Sequence, residues 1–243
     1  MQPFLSVIIP AYNEERRISR VLQAVHDYLG RQPYTWEVIV VIDGAKDRTV
    51  ERINEFTAGK TGISYIDRKQ NRGKGFTVRE GMLRAMGRVR LFTDADNSTD
   101  ISHFDKMKPL FDSGHEVVIC SRDSKDAPGA RQAVPQPIMK RVLGNGANLI
   151  IQALAVPGIW DTQCGFKAFT DEAATRIFSI SRIDRWGFDM EALALARRFN
   201  LRVGIVPAYW VDDPETHVSL FGYADGFLDA LKVRWGLMTG RYK

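Results

Sequence analysis

The chain has 243 residues, 44% of them hydrophobic and 26% charged, with a net charge of +5 and a pI near 9.2. That length suffices for one large domain with a substantial core, and the composition excludes a disordered or fibrous class. The basic excess suits an anionic partner such as a nucleotide, a lipid phosphate or a phospholipid surface, without choosing among them. Cys120 and Cys164 are the only cysteines. They lack the spacing of a zinc site or a disulfide framework, which points to a reducing cytoplasm. No charged segment followed by an apolar stretch opens the chain, so no signal peptide is expected. The longest apolar passage, Leu143 to Ile159, is broken by Gly144, Asn145, Asn148, Gln152 and Pro157. It falls short of the roughly 20 apolar residues of a spanning helix, so a soluble or peripheral protein is expected.

Taken in chain order, LSVIIP (Leu5–Pro10) reads as a short buried strand ending at Pro10. Asn13 is expected to cap a helix that places Ile18, Val21, Leu22, Val25 and Leu29 on one face. EVIVVI (Glu37–Ile42) is a second buried strand, closed by the turn Asp43-Gly44, and a helix with Val50, Ile53 and Phe56 follows. Ile63–Ile66 is a third strand. The glycine-rich turn Asn71-Arg72-Gly73-Lys74-Gly75 opens a helix carrying Phe76, Met82, Leu83 and Met86. VRLFT (Val89–Thr93) comes next, with Asp94-Ala95-Asp96 at its carboxyl end, then EVVICS (Glu116–Ser121), ending at Arg122. Beyond it, Ser124–Pro137 is a polar loop and Met139–Val156 a long apolar helix. Asp171–Ile180 and Asp189–Arg198 are expected as helices, Leu201–Pro207 as a strand and Tyr223–Met238 as a terminal helix.

Alternating strands and helices, with β-branched strands that do not alternate in polarity, predict a single α/β domain. Its sheet should be mostly parallel and Rossmann-like, with helices on both faces. In such sheets ligands bind at the carboxyl ends of the strands. Pro10-Ala11-Tyr12, Asp43, Asp94-Ala95-Asp96 and Arg122 all fall at such ends.

Two carboxylates two residues apart can share one hard cation while it holds a diphosphate, and Mg²⁺ and Mn²⁺ prefer such oxygen ligands. The same pair elsewhere is often a solvated turn. Asp43-Gly44 is equally readable as a backbone turn or as a contact to a base or ribose. Arg72-Gly73-Lys74-Gly75, at a helix start, offers N–H groups and a cation to phosphate. Arg122 has the planar fork that suits phosphate, as does Arg141 beside Lys140, although both kinds of position also serve as solvated surface charge. Near the C-terminus Phe221, Phe227, Leu228, Leu231, Trp235 and Met238 alternate with Lys232, Arg234, Arg241 and Lys243. That pattern suits an interfacial helix on anionic lipid, or packing against the domain.

SVIIPAYNEE (6–15), VIVVIDGAKDRT (38–49), NRGKG (71–75) and DAD (94–96), in this order and spacing, resemble glycosyltransferase family 2, which has the GT-A fold. DTQCGFKAF (161–169), RWGFDMEAL (185–193) and the basic C-terminal helix look like the dolichyl-phosphate β-glucosyltransferases of that family, with dolichol-phosphate mannose synthases next. The resemblance implies transfer of a sugar, glucose from UDP-glucose, onto a polyprenyl or dolichyl phosphate with inversion. The mannose-synthase alternative would use GDP-mannose. By position, Pro10, Ala11, Tyr12, Glu14 and Asp43 would hold the nucleoside and Lys74 the donor phosphates. Asp94, Ala95 and Asp96 would engage ribose, sugar and a Mg²⁺ or Mn²⁺ ion. Arg122, with Lys140 or Arg141, would steady the donor diphosphate and acceptor phosphate, and Gln163, Trp186 and Asp189 would line the sugar and acceptor pocket.

The chain departs from that family at Ile42-Asp43, where paired aspartates are usual, and at Thr216-His217, where a Ser-Lys pair is usual. It also lacks the N-terminal membrane anchor of eukaryotic relatives, so peripheral attachment at the cytoplasmic face is expected. Asp94-Ala95-Asp96-Asn97-Ser98 formally matches the DxDx[TS] of haloacid-dehalogenase-type phosphatases. There the motif ends the first strand, whereas here several strands precede it. A non-catalytic nucleotide- or lipid-binding module is the remaining alternative. No nucleic-acid-binding motif is present.

Overall fold

The computed structural model describes residues 2–133, 148–211 and 220–242. Its strands are β1 (Leu5–Ala11), β2 (Trp36–Asp43), β3 (Ile63–Arg68), β4 (Val89–Thr93), β5 (Val117–Ser121), β6 (Arg131–Gln132), β7 (Phe166–Thr170), β8 (Val203–Pro207) and β9 (Tyr209–Trp210). The helices are α1 (Ile18–Leu29), α2 (Thr49–Thr57), α3 (Lys74–Arg84), α4 (Phe104–Asp112), α6 (Asp171–Phe178), α7 (Phe188–Arg198) and α8 (Leu220–Met238). Residues 148–154 form a further helix, α5.

Seven strands make one sheet in the order β3-β2-β1-β4-β7-β5-β8. β1 pairs in parallel with both β2 and β4, so the chain winds outward in two directions from the β1–β4 boundary. The carboxyl ends of β1 and β4 lie side by side there, at the crevice where ligands bind in open α/β sheets. One face of the sheet is covered by α1, α2 and α4 through Val21, Leu22, Val25, Ile53, Phe104 and Met107. The other is covered by α3, α6, α7 and α8 through Val78, Met82, Ile177, Leu193, Ala230 and Val233. Strands buried on both faces explain the unbroken β-branched runs of β1 and β2.

Four expectations are corrected. β7, read only as part of a motif, is a strand inserted antiparallel between β4 and β5, with Ala168 facing both Leu91 and Val118. A five-residue run of this composition carries no sign of direction; its neighbours set it. Asn13 does not cap α1, which begins at Ile18 with no side-chain cap. Asn13 instead takes a φ of 56°, and its Oδ1 accepts the Lys46 N–H at 2.8 Å, tying the loop after β1 to the loop after β2. Met86 lies past the end of α3 and is exposed. The segment from Ser124 is not all loop, because Arg131–Gln132 pairs in parallel with Tyr209–Trp210. The expected helix Met139–Val156 is helical over 148–154, and residues 139–147 lie outside the described residues.

Candidate active site

Asp94 follows the last residue of β4, and its N–H donates to the Gly165 carbonyl at 3.2 Å. Its carboxylate lies against the Gly165 Cα: a Cβ there would come within 2.1 Å of Asp94 Oδ2. Only glycine leaves that space. Lys74, the first residue of α3, reaches Asp94 Oδ1 with its ammonium at 2.6 Å. The start of α3 is itself fixed by close approach, since a Cβ on Gly75 would meet the Ile183 carbonyl oxygen at 2.4 Å. The two glycines flanking Lys74 thus serve chain packing and aim the lysine.

Asp96 closes its own turn, Oδ1 accepting the Ser98 N–H at 2.9 Å, while Asn97 takes a φ of 57°. Burial, and then the charge of Asp94, push the Asp96 carboxyl above its usual range. Glu14, in the loop after β1, is also raised by burial, with Asp96 and Asp94 adding repulsion that Arg17 partly offsets. The Glu14, Asp94 and Asp96 carboxylates thus lie near enough to raise one another's charge cost at this end of the sheet. Burial works against the charge of Lys74, yet Asp94 and Asp189 outweigh it and hold its ammonium above the ordinary range.

This donor set fits a hard divalent ion. Glu14 does not join the pair as a ligand, since among the described residues no three His, Cys, Asp or Glu are grouped closely enough to hold a metal. Mg²⁺ in particular is commonly held by one or two carboxylates, the rest of its shell being water and substrate phosphate. Asp94 and Asp96 offer two such carboxylates, two residues apart at the end of β4.

The nucleoside-side residues divide into two groups. Pro10 and Ala11 are buried in β1, and Tyr12 stands 42% exposed at its end. Asp43 is turned inward: Oδ1 accepts Arg68 Nη1 at 2.6 Å and the Arg72 N–H at 2.8 Å, and Oδ2 accepts the Gly73 N–H at 2.8 Å. It ties the end of β2 to the glycine-rich turn.

Arg122, just past β5, grips Asp161 in a bidentate fork, Nε at 2.7 Å from Oδ2 and Nη2 at 2.8 Å from Oδ1. Burial alone would push the Asp161 carboxyl up, but the guanidinium lowers it to about 2. Asp161 belongs to the same loop as Gly165, against which the Asp94 carboxylate rests, so Arg122 and Asp94 meet at one end of the sheet. Asp126 braces this corner by accepting the N–H groups of Trp160 and Asp161 at 2.8 Å each. Gln163 is exposed beside it. Trp186 is 53% exposed, with Lys74 Nζ 5.3 Å from its ring centroid. Asp189, in the first turn of α7, is buried and paired with Lys167. Lys140, Arg141, Thr216 and His217 lie outside the described residues.

Sequence reasoning did not single out Asp161, Gly165 or Lys167. All three sit in the DTQCGFK run, which carried a family likeness, but their roles depend on partners far along the chain.

The family described as Glycosyl transferase family 2 matches residues 6–178. The dolichyl-phosphate beta-glucosyltransferase ALG5D of Trichomonas vaginalis is 33% identical over 241 residues, covering 96% of this chain and 73% of that protein. The human dolichyl-phosphate beta-glucosyltransferase is 32% identical over 253 residues, covering 98% of this chain and 77% of that protein. Among solved structures, glucosyl-3-phosphoglycerate synthase from Mycobacterium tuberculosis, in complex with Mn²⁺, uridine-diphosphate and glucosyl-3-phosphoglycerate, superposes with a TM-score of 0.68. It is 19% identical and covers 96% of this chain and 80% of that one, a likeness of fold. The chain belongs to glycosyltransferase family 2. It is a glycosyltransferase with the Rossmann-like GT-A architecture.

Gly165→Ala is expected to displace the Asp94 carboxylate. Divalent-dependent nucleotide binding, measured by calorimetry, should weaken by about 10- to 100-fold with the circular dichroism spectrum unchanged. Wild-type affinity in a folded variant would mean that the position of Asp94 does not matter.

Proposed function

We propose that this glycosyltransferase moves glucose from UDP-glucose onto dolichyl or another polyprenyl phosphate at a membrane surface, inverting the anomeric carbon. The observation that carries the reading is the pairing of Lys74 with Asp94 and of Arg122 with Asp161, in the loop whose Gly165 abuts Asp94. It is supported by near-full-length relatives named dolichyl-phosphate beta-glucosyltransferase.

A Mg²⁺ or Mn²⁺ ion held by Asp94 and Asp96 would neutralise the donor diphosphate and stabilise the leaving nucleotide. Lys74 adds a cation at the phosphates, and the loops at Pro10, Ala11, Tyr12 and Glu14 hold the nucleoside, with Asp43 fixing the neighbouring turn. Arg122 spends its Nε and Nη2 on Asp161, which leaves the Nη1 edge of its five-donor fork for a phosphate. Gln163 and Trp186 border the sugar and acceptor side, with Asp189 beneath them, and Lys140 or Arg141 supplies further charge. The acceptor phosphate is already anionic near neutral pH, so the reaction requires no dedicated base. One of its oxygens bonds to C1 from the face opposite the nucleotide as the bond from C1 to the diphosphate breaks. The electron pair of that bond departs on UDP, where fixed positive charge stabilises it.

The lipid end of the acceptor calls for a membrane-facing surface, and α8 supports one. It packs on the domain through Ala230 and Val233, while Phe227, Leu228, Leu231, Trp235 and Met238 stay exposed. Lys232, Arg234 and Arg241 flank them. A helix with one face on the protein and an apolar, basic-edged face outward suits interfacial binding to anionic lipid. No helix among the described residues is long and apolar enough to cross a membrane. A Cβ on Gly187 would meet Asp229 Cβ at 2.5 Å, so α8 lies against the segment that holds Trp186.

The purified protein with Mn²⁺, labelled UDP- and GDP-sugars and polyprenyl phosphate is expected to give glucosyl-lipid from UDP-glucose. Asp96→Asn should lower the rate on the order of 100-fold. Mannosyl-lipid from GDP-mannose would move the reading to the mannose-synthase relatives, and no lipid product from any donor would end it. In vesicle sedimentation, Leu231→Ser with Trp235→Ser should reduce binding to phosphatidylserine-containing vesicles by about tenfold or more, given roughly 1.5–3 kcal/mol per buried large side chain. Unchanged sedimentation would remove α8 from the membrane.

A further inference from the structure

Glu191 is fully buried in the first turn of α7 and has no part in the chemistry described above. Its carboxylate nonetheless holds three donors. Oε1 accepts the Arg182 N–H and the Tyr242 hydroxyl at 2.8 Å each, and Oε2 accepts the Ile183 N–H at 3.0 Å. Residues 181–185, held in this way, form the seat for the first turn of α3. The Asp184 carbonyl accepts the Phe76 N–H at 3.0 Å, and Arg79 reaches Asp184 Oδ1 at 2.5 Å and the Ser181 carbonyl at 3.2 Å. A Cβ on Gly73 would come within 2.4 Å of the Asp184 carbonyl oxygen, and one on Gly75 equally close to that of Ile183. Contact that close leaves the turn one position, and from it Lys74 meets Asp94. Tyr242 lies just past α8 with its ring against Gly236, where a Cβ would come within 2.5 Å of Tyr242 Cε2.

Resting on the reading that Lys74 meets the donor diphosphate, we propose that Glu191 is a positioning residue for Lys74, acting through the 181–185 segment, and that Tyr242 fixes the carboxylate in that role. Two backbone N–H groups of the segment are bound to one buried acceptor, so its carbonyls stand in one place beneath Gly73 and Gly75. The first turn of α3 rests on those carbonyls, and the ammonium is delivered to Asp94. Without the carboxylate, two N–H groups lose their partner in a site where that is costly. The segment then relaxes, and Lys74 loses its aim. Glu191 touches no substrate. The same carboxylate takes a hydrogen bond from the chain just past α8, so the helix proposed to face lipid and the start of the donor site share one anchor.

Glu191→Gln keeps the shape and one acceptor oxygen, but its amide nitrogen cannot accept an N–H. Calorimetric titration of UDP in the presence of Mn²⁺ is compared across the intact chain, Glu191→Gln, Lys74→Gln and the double variant, with thermal unfolding followed in parallel. Glu191→Gln is expected to weaken UDP binding by about tenfold or more, as loss of a supporting group at a metal site does. In the Lys74→Gln background the same change is expected to cost less than about threefold, because the group it positions is gone. A purely structural glutamate would lower the unfolding temperature while leaving the affinity of the folded protein unchanged, and that result overturns the proposal. Equal losses in the two backgrounds overturn it too. If Glu191→Gln does not fold, Tyr242→Phe takes its place. A loss of about threefold, as removal of one hydrogen bond gives, seen only with Lys74 present supports the proposal, and no loss or the same loss in both backgrounds contradicts it. If Lys74→Gln binds no UDP, hydrogen exchange at the Phe76 amide decides: faster exchange in Glu191→Gln or Tyr242→Phe than in the intact chain supports the proposal, and unchanged exchange contradicts it. Absence of Mn²⁺-dependent UDP binding by the unaltered protein would overturn the functional reading itself, an outcome distinct from all of these.

Discussion

Like charge forced together at one end of a sheet is the constraint on which this structure turns. Glu14, Asp94 and Asp96 stand near one another at the carboxyl ends of β1 and β4, where burial first and mutual repulsion second raise the Glu14 and Asp96 carboxyls. Such a cluster persists only where cations or hydrogen-bond donors compensate it. Lys74 answers Asp94, the Ser98 N–H answers Asp96, and Arg17 answers Glu14. The compensation is incomplete, and under the proposed function a divalent ion with its diphosphate would complete it.

Topology supplies the place, and local packing supplies the aim. Because β1 and β4 are parallel neighbours, the loops after them open side by side at one end of the sheet. Each turns through a left-handed asparagine, Asn13 and Asn97, a conformation that few side chains other than asparagine and aspartate tolerate. Antiparallel β7 then brings the 161–165 loop to the same rim from the other direction, delivering Asp161 to Arg122 and Gly165 to Asp94. A parallel strand at that position would have sent this loop to the opposite edge of the sheet.

The sequence made the parallel half of the sheet readable, since buried strands such as VIVVID leave unbroken apolar runs and the aspartate pair stands at the end of one. It made α8 readable in composition but not in orientation, because one helical stripe serves core or membrane equally well. The structure uses both: Ala230 and Val233 face inward and Leu231 and Trp235 outward. What stayed hidden depends on partners distant along the chain. Lys167 in GFKAF looks like any strand lysine until Asp189, 22 residues on, is placed beside it. Asp43 reads equally as a turn residue or a ligand contact, and the sequence does not show that Arg68 and the backbone of Arg72 and Gly73 bond to its oxygens. Asn13 looks like a helix cap until its side chain is found bridging two loops.

The central claim is that the carboxyl end of β4 is a cation site shared with a nucleotide. Crystals grown with Mn²⁺ and UDP, measured at the manganese absorption edge, test it most directly. One strong anomalous peak is expected within coordinating distance of Asp94 or Asp96 and of the diphosphate. A nucleotide bound elsewhere, or manganese at a site remote from both aspartates, would contradict it.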